Sequence, residues 1–133
     1  MMTITLVRSL LLIPTIDELI YRITANIKKG KHLWLSSLDG TGSYNQVRVD
    51  PEFGKYLTFT LPFGSFQYLR MPQGLCTSPE AFQELIRNLF GHLPFVFIYI
   101  DDLLVFTWGT EEKHQEDIAR AITICIDNNI RLN

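Results

Sequence analysis

Apolar positions along this chain recur at two spacings, which predict where helices and strands lie. Apolar residues three or four positions apart, typical of a helix with one buried face, occur in three segments. The predicted helices cover about 15–30, 79–90 and 111–128, and a Thr followed three residues later by Glu marks the start of the first two. The apolar stripes are Ile16, Leu19, Ile20, Ile23 and Ile27 in the first helix, Phe82, Leu85, Ile86, Leu89 and Phe90 in the second, and Ile118, Ala121, Ile122, Cys125 and Ile126 in the third.

Shorter runs rich in β-branched and aromatic residues, separated by Pro and Gly turns, predict strands. They lie near 33–39, 44–49, 55–61 and 65–70, and an apolar hairpin follows over 95–106. No repeat, linker or low-complexity stretch divides the 133 residues, which are enough for one domain with a buried core. The predicted fold class is α+β, an antiparallel sheet with helices packed on one face.

Two adjacent aspartates, Asp101 and Asp102, lie at the tip of the predicted apolar hairpin. Asp is uncommon in strands, and Leu103 follows the pair where a tight hairpin turn favours glycine. Neighbouring carboxylates repel each other unless a positive group lies between them, and divalent cations prefer hard oxygen ligands. The pair is therefore either a candidate metal site or a solvated turn, since Asp favours turns for its own hydrogen bonds.

A third carboxylate, Asp39, ends a strand-like run and is followed by a turn with two glycines. Two-metal catalysis requires several carboxylates from different segments around cations about 4 Å apart. Asp39 is thus a candidate third ligand, and the alternative is a turn residue that ends a strand. Gln73 lies in a loop fixed by Pro72 and Gly74, where it either presents its amide to a ligand or is an ordinary exposed residue.

Four motifs in this order resemble the palm of reverse transcriptases, most of all those of gypsy-like long-terminal-repeat retrotransposons and, more distantly, retroviral and pararetroviral polymerases. The resemblance runs from about Ile13 to Asn133, and four motifs in order are a specific match. The motifs are Leu38-Asp39 with Tyr44 and Gln46, Pro62-Phe63-Gly64, Met71-Pro72-Gln73-Gly74 with Ser78-Pro79 and Phe82-Gln83, and Tyr99-Ile100-Asp101-Asp102.

The resemblance implies a two-metal site. Asp39, Asp101 and Asp102 would be the catalytic carboxylates that bind two Mg²⁺ ions, with Mn²⁺ as an alternative, and the carbonyl of Gly40 would help to hold one ion. Phosphoryl transfer requires chiefly positioning and electrostatic stabilisation by metal ions, which agrees with these roles. The family usually has a longer polar residue and a Ser-Gly pair where this chain reads Gly40 to Ser43, so we expect a more flexible metal loop.

The resemblance also implies a nucleotide and primer site. Tyr44 would be the aromatic gate that excludes a ribose 2′-hydroxyl, Gln73 would lie against the incoming nucleotide, and Tyr99 would approach the primer terminus. The implied partners are an RNA or DNA template-primer and a deoxynucleoside triphosphate. The leading hypothesis is an RNA-directed DNA polymerase palm, and the alternative is a truncated or domesticated palm that serves as a non-catalytic structural or interaction module.

Composition favours one partial palm over residues 1–133. The net charge of −2 and the pI near 5.9 lack the basic excess of an independent nucleic-acid-binding protein. Arg8 is the only strong base before Arg22, and most of the fingers, the thumb, the connection and the RNase H regions have no counterpart here. We therefore expect weak or absent activity in isolation, and the remaining polymerase subdomains of a larger polyprotein as partners.

The remaining features concern surroundings and assembly. A hydrophobic fraction of 47% predicts surfaces that pack against neighbours, including self-association. Two distant cysteines, Cys76 and Cys125, indicate a reduced intracellular protein. The resemblance implies that its location is the cytoplasm or a retrotransposon particle. Residues 1–14 are too short to span a bilayer and lack a signal cleavage site, so we expect no secretion, no membrane contact and an extended segment packed on the palm. The three histidines, expected at the surface, are His32, His92 and His114.

Overall fold

The computed structural model describes residues 3–4, 14–25, 27, 30–75, 78–99 and 101–133. The helices are α1 (Ile16–Ala25), α2 (Pro51–Gly54), α3 (Ser78–Phe90) and α4 (Glu111–Asp127), and two 3₁₀ turns cover Ser43–Gln46 and Lys55–Leu57. The strands are β1 (Thr3–Ile4), β2 (His32–Asp39), β3 (Arg48–Val49), β4 (Thr58–Leu61), β5 (Gly64–Gln67), β6 (Val96–Tyr99) and β7 (Asp102–Gly109). The predicted packing of the N-terminal segment and the Thr77 helix start fall largely outside the described residues.

Strands β2, β7 and β6 form an antiparallel sheet in that order. The pairing of β2 with β7 runs from His32 opposite Gly109 to Asp39 opposite Asp102. The pairing of β6 with β7 ends with Tyr99 opposite Asp102. Helices α3 and α4 pack on one face of this sheet, which confirms the predicted α+β fold with an antiparallel sheet backed by helices.

The core lies between the sheet and helices α3 and α4. Successive side chains of a strand point to opposite faces, so Val96, Leu103 and Val105 all point to this side. The buried helix residues that meet them are Ala81, Phe82, Ile86 and Phe90 of α3 with Ala121 and Cys125 of α4. Burying a Phe side chain fully stabilises the fold by about 1.5–3 kcal/mol. The apolar stripe predicted for the second helix is therefore confirmed as core.

Helix α1 contacts the opposite face of the sheet. Trp108 Nε1 donates a hydrogen bond to the carbonyl oxygen of Ile23 at 3.0 Å, and the Arg22 guanidinium lies 5.5 Å from the centroid of the Phe97 ring. No residue of α1 is fully buried, and Ile16 and Ile20 are more than half exposed. The predicted stripe forms only in part, because Ile27 lies beyond the end of α1 at Ala25 and is 55% exposed.

Helix α4 begins and ends with identifiable caps. The Thr110 hydroxyl oxygen accepts a hydrogen bond from the backbone N–H of Lys113 at 3.3 Å, as a capping residue does. At the other end Asn129 has a left-handed φ of 56°, and the backbone N–H of Ile130 donates to the carbonyl of Cys125 at 2.8 Å. This turn directs residues 131–133 back toward the end of β2. Among the described helices none is long and apolar enough to cross a membrane.

The inward position predicted for Ile126 is wrong, because this side chain is 68% exposed. A helix turns by about 100° per residue, so Ile126 points about 100° away from the neighbouring Cys125. Cys125 faces the core directly and is 1% exposed, which leaves Ile126 beyond the edge of the buried stripe.

The strand predicted over 44–49 is mostly a 3₁₀ turn. Gly42 adopts a left-handed φ of 55°, and the backbone N–H of Asn45 donates to its carbonyl, so the chain coils before the short strand β3. The sequence interpretation also missed α2. Asp50 caps this helix by accepting from the backbone N–H of Glu52 at 2.8 Å, and Pro51 occupies the first turn, where its missing N–H costs nothing.

The surface position predicted for His114 is wrong. His114 is 5% exposed, with Nε2 2.8 Å from the Ser36 hydroxyl and Nδ1 3.0 Å from the Thr107 hydroxyl. Thr107 donates in turn to Asp117 at 2.9 Å. Strands β2 and β7 thus present two hydroxyls toward α4, and they satisfy a buried imidazole. His32 and His92 are exposed as predicted.

A second, two-stranded sheet pairs β4 with β5 and carries exposed aromatic residues. The rings of Phe59 and Phe66 lie 5.7 Å apart, and those of Phe63 and Phe66 lie 5.8 Å apart. Phe63 is 78% exposed. This sheet supplies apolar surface outside the main core.

Candidate active site

Three candidate residues form a row across the end of the central sheet. Asp39 of β2 lies directly opposite Asp102 of β7, and Asp102 lies directly opposite Tyr99 of β6. Directly opposite residues place their Cβ atoms about 4.5–5.5 Å apart on the same face. All three residues are exposed. The neighbouring residues Leu38 and Leu103 point to the opposite face and into the core. The sheet therefore separates the row of Asp39, Asp102 and Tyr99 from helices α3 and α4.

The row places two like charges side by side. Opposed carboxylates on neighbouring strands destabilise a sheet unless a positive group or a donor compensates them. Asn133 supplies one donor, because its Nδ2 lies 2.6 Å from Asp39 Oδ2. Asp39 and Asp102 thus occupy directly opposite strand positions, and the Asp39 carboxylate has a neutral hydrogen-bond partner.

Asp101 occupies the turn between β6 and β7 and contacts Tyr44. Burial raises the pKa of Tyr44 above its usual range, and a hydrogen bond to the Asp101 carboxylate and the negative charge of Asp101 raise it further. Asp101 Oδ1 is buried and has no hydrogen-bond partner. A buried carboxylate oxygen without a hydrogen-bond partner lowers the stability of the folded protein. A bound cation or a hydrogen-bond donor at this position would remove that cost.

The three carboxylates do not form a complete metal site by themselves. Among the described residues, no three His, Cys, Asp or Glu side chains are arranged to hold a metal ion together. Asp39 and Asp102 are adjacent, whereas Asp101 contacts Tyr44. The donor set consists of hard oxygens, which suits Mg²⁺ or Mn²⁺. The joint coordination of one cation by all three aspartates stays a prediction.

The loop after Asp39 is held in place by hydrogen bonds. The carbonyl oxygen of Gly40, the candidate metal ligand, accepts from the Ser43 hydroxyl at 2.9 Å. The Gln46 side chain donates from Nε2 to the Thr41 carbonyl at 2.6 Å and accepts at Oε1 from the Arg131 backbone N–H at 2.7 Å. The loop therefore has defined partners despite its two glycines. Sequence reasoning did not assign Gln46 or Asn133 to the site.

Tyr44 and Gln73 lie on neighbouring segments. The Tyr44 ring is half-buried and meets Phe82 edge-on, with 5.4 Å between the ring centroids. The loop that carries Gln73 is tied to the segment after Tyr44, because the backbone N–H of Met71 donates to the carbonyl of Val47 at 3.0 Å. Gln73 itself is exposed. Its nucleotide contact, the gate function of Tyr44 and the primer contact of Tyr99 stay predictions.

One family model matches nearly the whole chain, and related polyproteins align with most of it. The family model described as reverse transcriptase (RNA-dependent DNA polymerase) matches residues 3–133. An enzymatic polyprotein of Cassava vein mosaic virus is 32% identical over 120 residues, and the retrovirus-related Pol polyprotein from transposon 297 of Drosophila melanogaster is 29% identical over 122 residues. These alignments cover 89% and 90% of this chain but only 17% and 11% of the two polyproteins.

A solved structure shares the fold. The foamy viral protease-reverse transcriptase in complex with an RNA/DNA hybrid superposes with a TM-score of 0.68 at 19% sequence identity. The superposition covers 74% of this chain and 13% of the viral chain. This chain thus corresponds to a small part of each relative's length.

Proposed function

The chain belongs to the reverse transcriptase family, and from this premise we propose that it is the palm of an RNA-directed DNA polymerase. It would transfer deoxynucleotidyl groups to the 3′-hydroxyl of a primer. The row of Asp39, Asp102 and Tyr99 carries this proposal, because it places two carboxylates and an aromatic side chain on the exposed face, beside Asp101. No core packing requires two opposed carboxylates at that position.

Divalent cations are the cofactors that this donor set fits, and we propose two Mg²⁺ ions, with Mn²⁺ as a substitute. Asp39, Asp101, Asp102 and the Gly40 carbonyl would hold them. When bound, such ions activate an attacking oxygen and stabilise the charge on a leaving group. The like-charge pair of Asp39 and Asp102 and the orphaned Asp101 Oδ1 both support a bound cation.

The other site residues would position the substrates. The Tyr44 ring, fixed against Phe82, would provide the rigid wall that excludes a 2′-hydroxyl. Gln73 would present its exposed amide to the nucleotide, and Tyr99 would lie beside the primer end because it neighbours Asp102. In these roles the side chains only position the nucleotide and the primer. Positioning of the reactants is the main contribution that a protein makes to phosphoryl transfer.

The proposed partners are a template-primer of RNA and DNA, a deoxynucleoside triphosphate and the other polymerase subdomains of a larger polyprotein. The related foamy viral enzyme is in complex with an RNA/DNA hybrid, and the related polyproteins are more than five times as long as the aligned region. A net charge of −2 supports the view that basic surface comes from those other subdomains. The exposed apolar residues of α1 and of the β4–β5 sheet would meet them or a second copy.

Extension of a labelled DNA primer by the purified chain on an RNA template tests this proposal. We expect slow, cation-dependent addition of deoxynucleotides that Asp102→Asn abolishes. Asp17→Asn, the same substitution on the exposed first turn of α1, serves as the matched control and should retain the activity.

A non-catalytic palm that acts as an interaction module is the second candidate. The contact between Asp101 and Tyr44 favours it, because one of the three carboxylates already has a partner within the protein. Extension no faster than that of Asp102→Asn, with or without added Mn²⁺, would support this candidate over the polymerase.

A further inference from the structure

Asn133 contacts Asp39 through both its side chain and its backbone. Its Nδ2 donates to Asp39 Oδ2 at 2.6 Å, and its backbone N–H donates to the Asp39 carbonyl oxygen at 2.9 Å. The two bonds restrain the backbone and one carboxylate oxygen of the same residue. Hydrogen bonds to a charged acceptor are stronger than those between neutral groups.

Thr41 fixes the orientation of the Asn133 amide. An ionised carboxylate can only accept hydrogen bonds, so the NH₂ group of Asn133 must face Asp39 and its oxygen must face a donor. The Thr41 hydroxyl is that donor, since it donates to Asn133 Oδ1. The chemistry on both sides of the amide therefore allows a single orientation.

Gln46 fixes the segment that carries Asn133. Its Nε2 donates to the carbonyls of Thr41 at 2.6 Å and Arg131 at 3.0 Å, and the Thr41 backbone N–H donates to the Arg131 carbonyl at 3.0 Å. Gly40 also forms an antiparallel bridge with Leu132. Because the backbone is already held, ordering the exposed Asn133 side chain costs less conformational entropy than it would in a free segment.

We propose that Asn133 is a positioning residue of the metal site, which orients the Asp39 carboxylate and leaves its Oδ1 for a divalent cation. This inference rests on the proposed function, because it takes Asp39 as a metal ligand. A neutral amide suits this task, since it orients a carboxylate without bringing a positive charge that would compete with the cation. Removing a group that orients a metal ligand typically weakens metal affinity by about 10–100-fold.

The test measures the dissociation constant of Mn²⁺ from the loss of the free Mn²⁺ signal in electron paramagnetic resonance. We expect Asn133→Ala to weaken binding at least about tenfold relative to the unaltered chain. Asn128→Ala is the matched control, because Asn128 Nδ2 donates to the Ile124 carbonyl at 2.9 Å and so supports the end of α4. It should lower the melting temperature and leave Mn²⁺ affinity within about twofold, because its hydrogen bond goes to the backbone of α4 and not to Asp39 or Asn133.

Thr41→Val provides a second variant that keeps Asn133 in place. Without the Thr41 hydroxyl the Asn133 amide loses its orienting donor, so we expect a smaller loss of Mn²⁺ affinity than in Asn133→Ala. Equal affinities in the unaltered chain, Asn133→Ala and Thr41→Val would overturn this inference alone. Mn²⁺ binding that Asp102→Asn leaves unchanged, or no binding at all, would overturn the proposed function as well.

Discussion

The opposed carboxylates of Asp39 and Asp102 predict that Asp102→Asn is more stable than the unaltered chain when no metal is present. When a divalent metal is bound, we expect the reverse order of stability. Directly opposite residues have Cβ atoms about 5 Å apart, and two unit charges at about 5 Å repel by about 0.8 kcal/mol in water. Because both side chains are exposed, we expect the substitution to add about 0.5–1 kcal/mol to the free energy of unfolding.

This free energy corresponds to a measurable change in melting temperature. For a domain of this size it raises the melting temperature by about 2–4 °C in EDTA at low salt. The gain should shrink in concentrated NaCl, because salt screens exposed charges. A ligand at about 100 times its dissociation constant stabilises the folded state by about 2.7 kcal/mol. Saturating Mn²⁺ should therefore raise the melting temperature of the unaltered chain above that of Asp102→Asn.

A double-mutant cycle isolates the repulsion. The cycle compares the free energies of unfolding of Asp39→Asn, Asp102→Asn and the double variant in EDTA. Each single substitution already removes the repulsion, so the double variant should be less stable than the sum of the two single effects predicts, by an amount equal to the repulsion energy. A coupling energy near zero, or a melting temperature of Asp102→Asn below that of the unaltered chain in EDTA, would refute the reasoning. The order of the two melting temperatures in EDTA and in Mn²⁺ thus tests both the opposed positions of the two carboxylates and the proposed metal site.

Three further predictions follow from individual side chains. Tyr44→Ala, in the chain joined to the rest of its polymerase, should raise the incorporation of ribonucleotides relative to deoxyribonucleotides, whereas Tyr44→Phe should not; equal ratios in both variants would exclude the gate. Thr107→Val should lower the free energy of unfolding by about 1–3 kcal/mol in urea titrations, because buried His114 and Asp117 each lose a partner. Burial raises the pKa of the Cys125 thiol, so its alkylation by iodoacetamide at pH 8 should be slow in native protein and fast in urea; equal rates would contradict that burial.

Local patterns in the sequence were sufficient to predict the helices α3 and α4 and the strands β2, β6 and β7. Each has a clear apolar period and caps or turns within a few residues of its ends. The period also placed Asp39 and the aspartate pair at strand ends, which is why the row could be anticipated. The 3₁₀ turn at Ser43–Gln46 could not, because it depends on the left-handed conformation of Gly42, and apolar periodicity does not report backbone dihedrals.

The missed contacts are those that join distant parts of the chain. Asn133 and Asp39 are 94 residues apart in sequence, and His114 and Ser36 are 78 apart. A single polar residue at either position has no periodic signal, so its burial or its partner depends on tertiary packing alone. For His114 one signal was available, because its spacing from Ala121 and Cys125 places it on the helix face that meets the sheet. The charged residues next to it in the sequence made this position look exposed.

The Asn133 contact has a consequence for the order in which the site forms during synthesis. The aspartate hairpin joins β6 and β7 through local pairing, so it can form as soon as that stretch leaves the ribosome. Asp39 is translated much earlier, yet it acquires its amide partner only after α4 and the turn at Asn129 have followed. A nascent palm that lacks this segment would therefore carry all three aspartates while its first carboxylate is still unrestrained. Synthesis of α4 and of the turn at Asn129 then precedes the restraint of the Asp39 carboxylate.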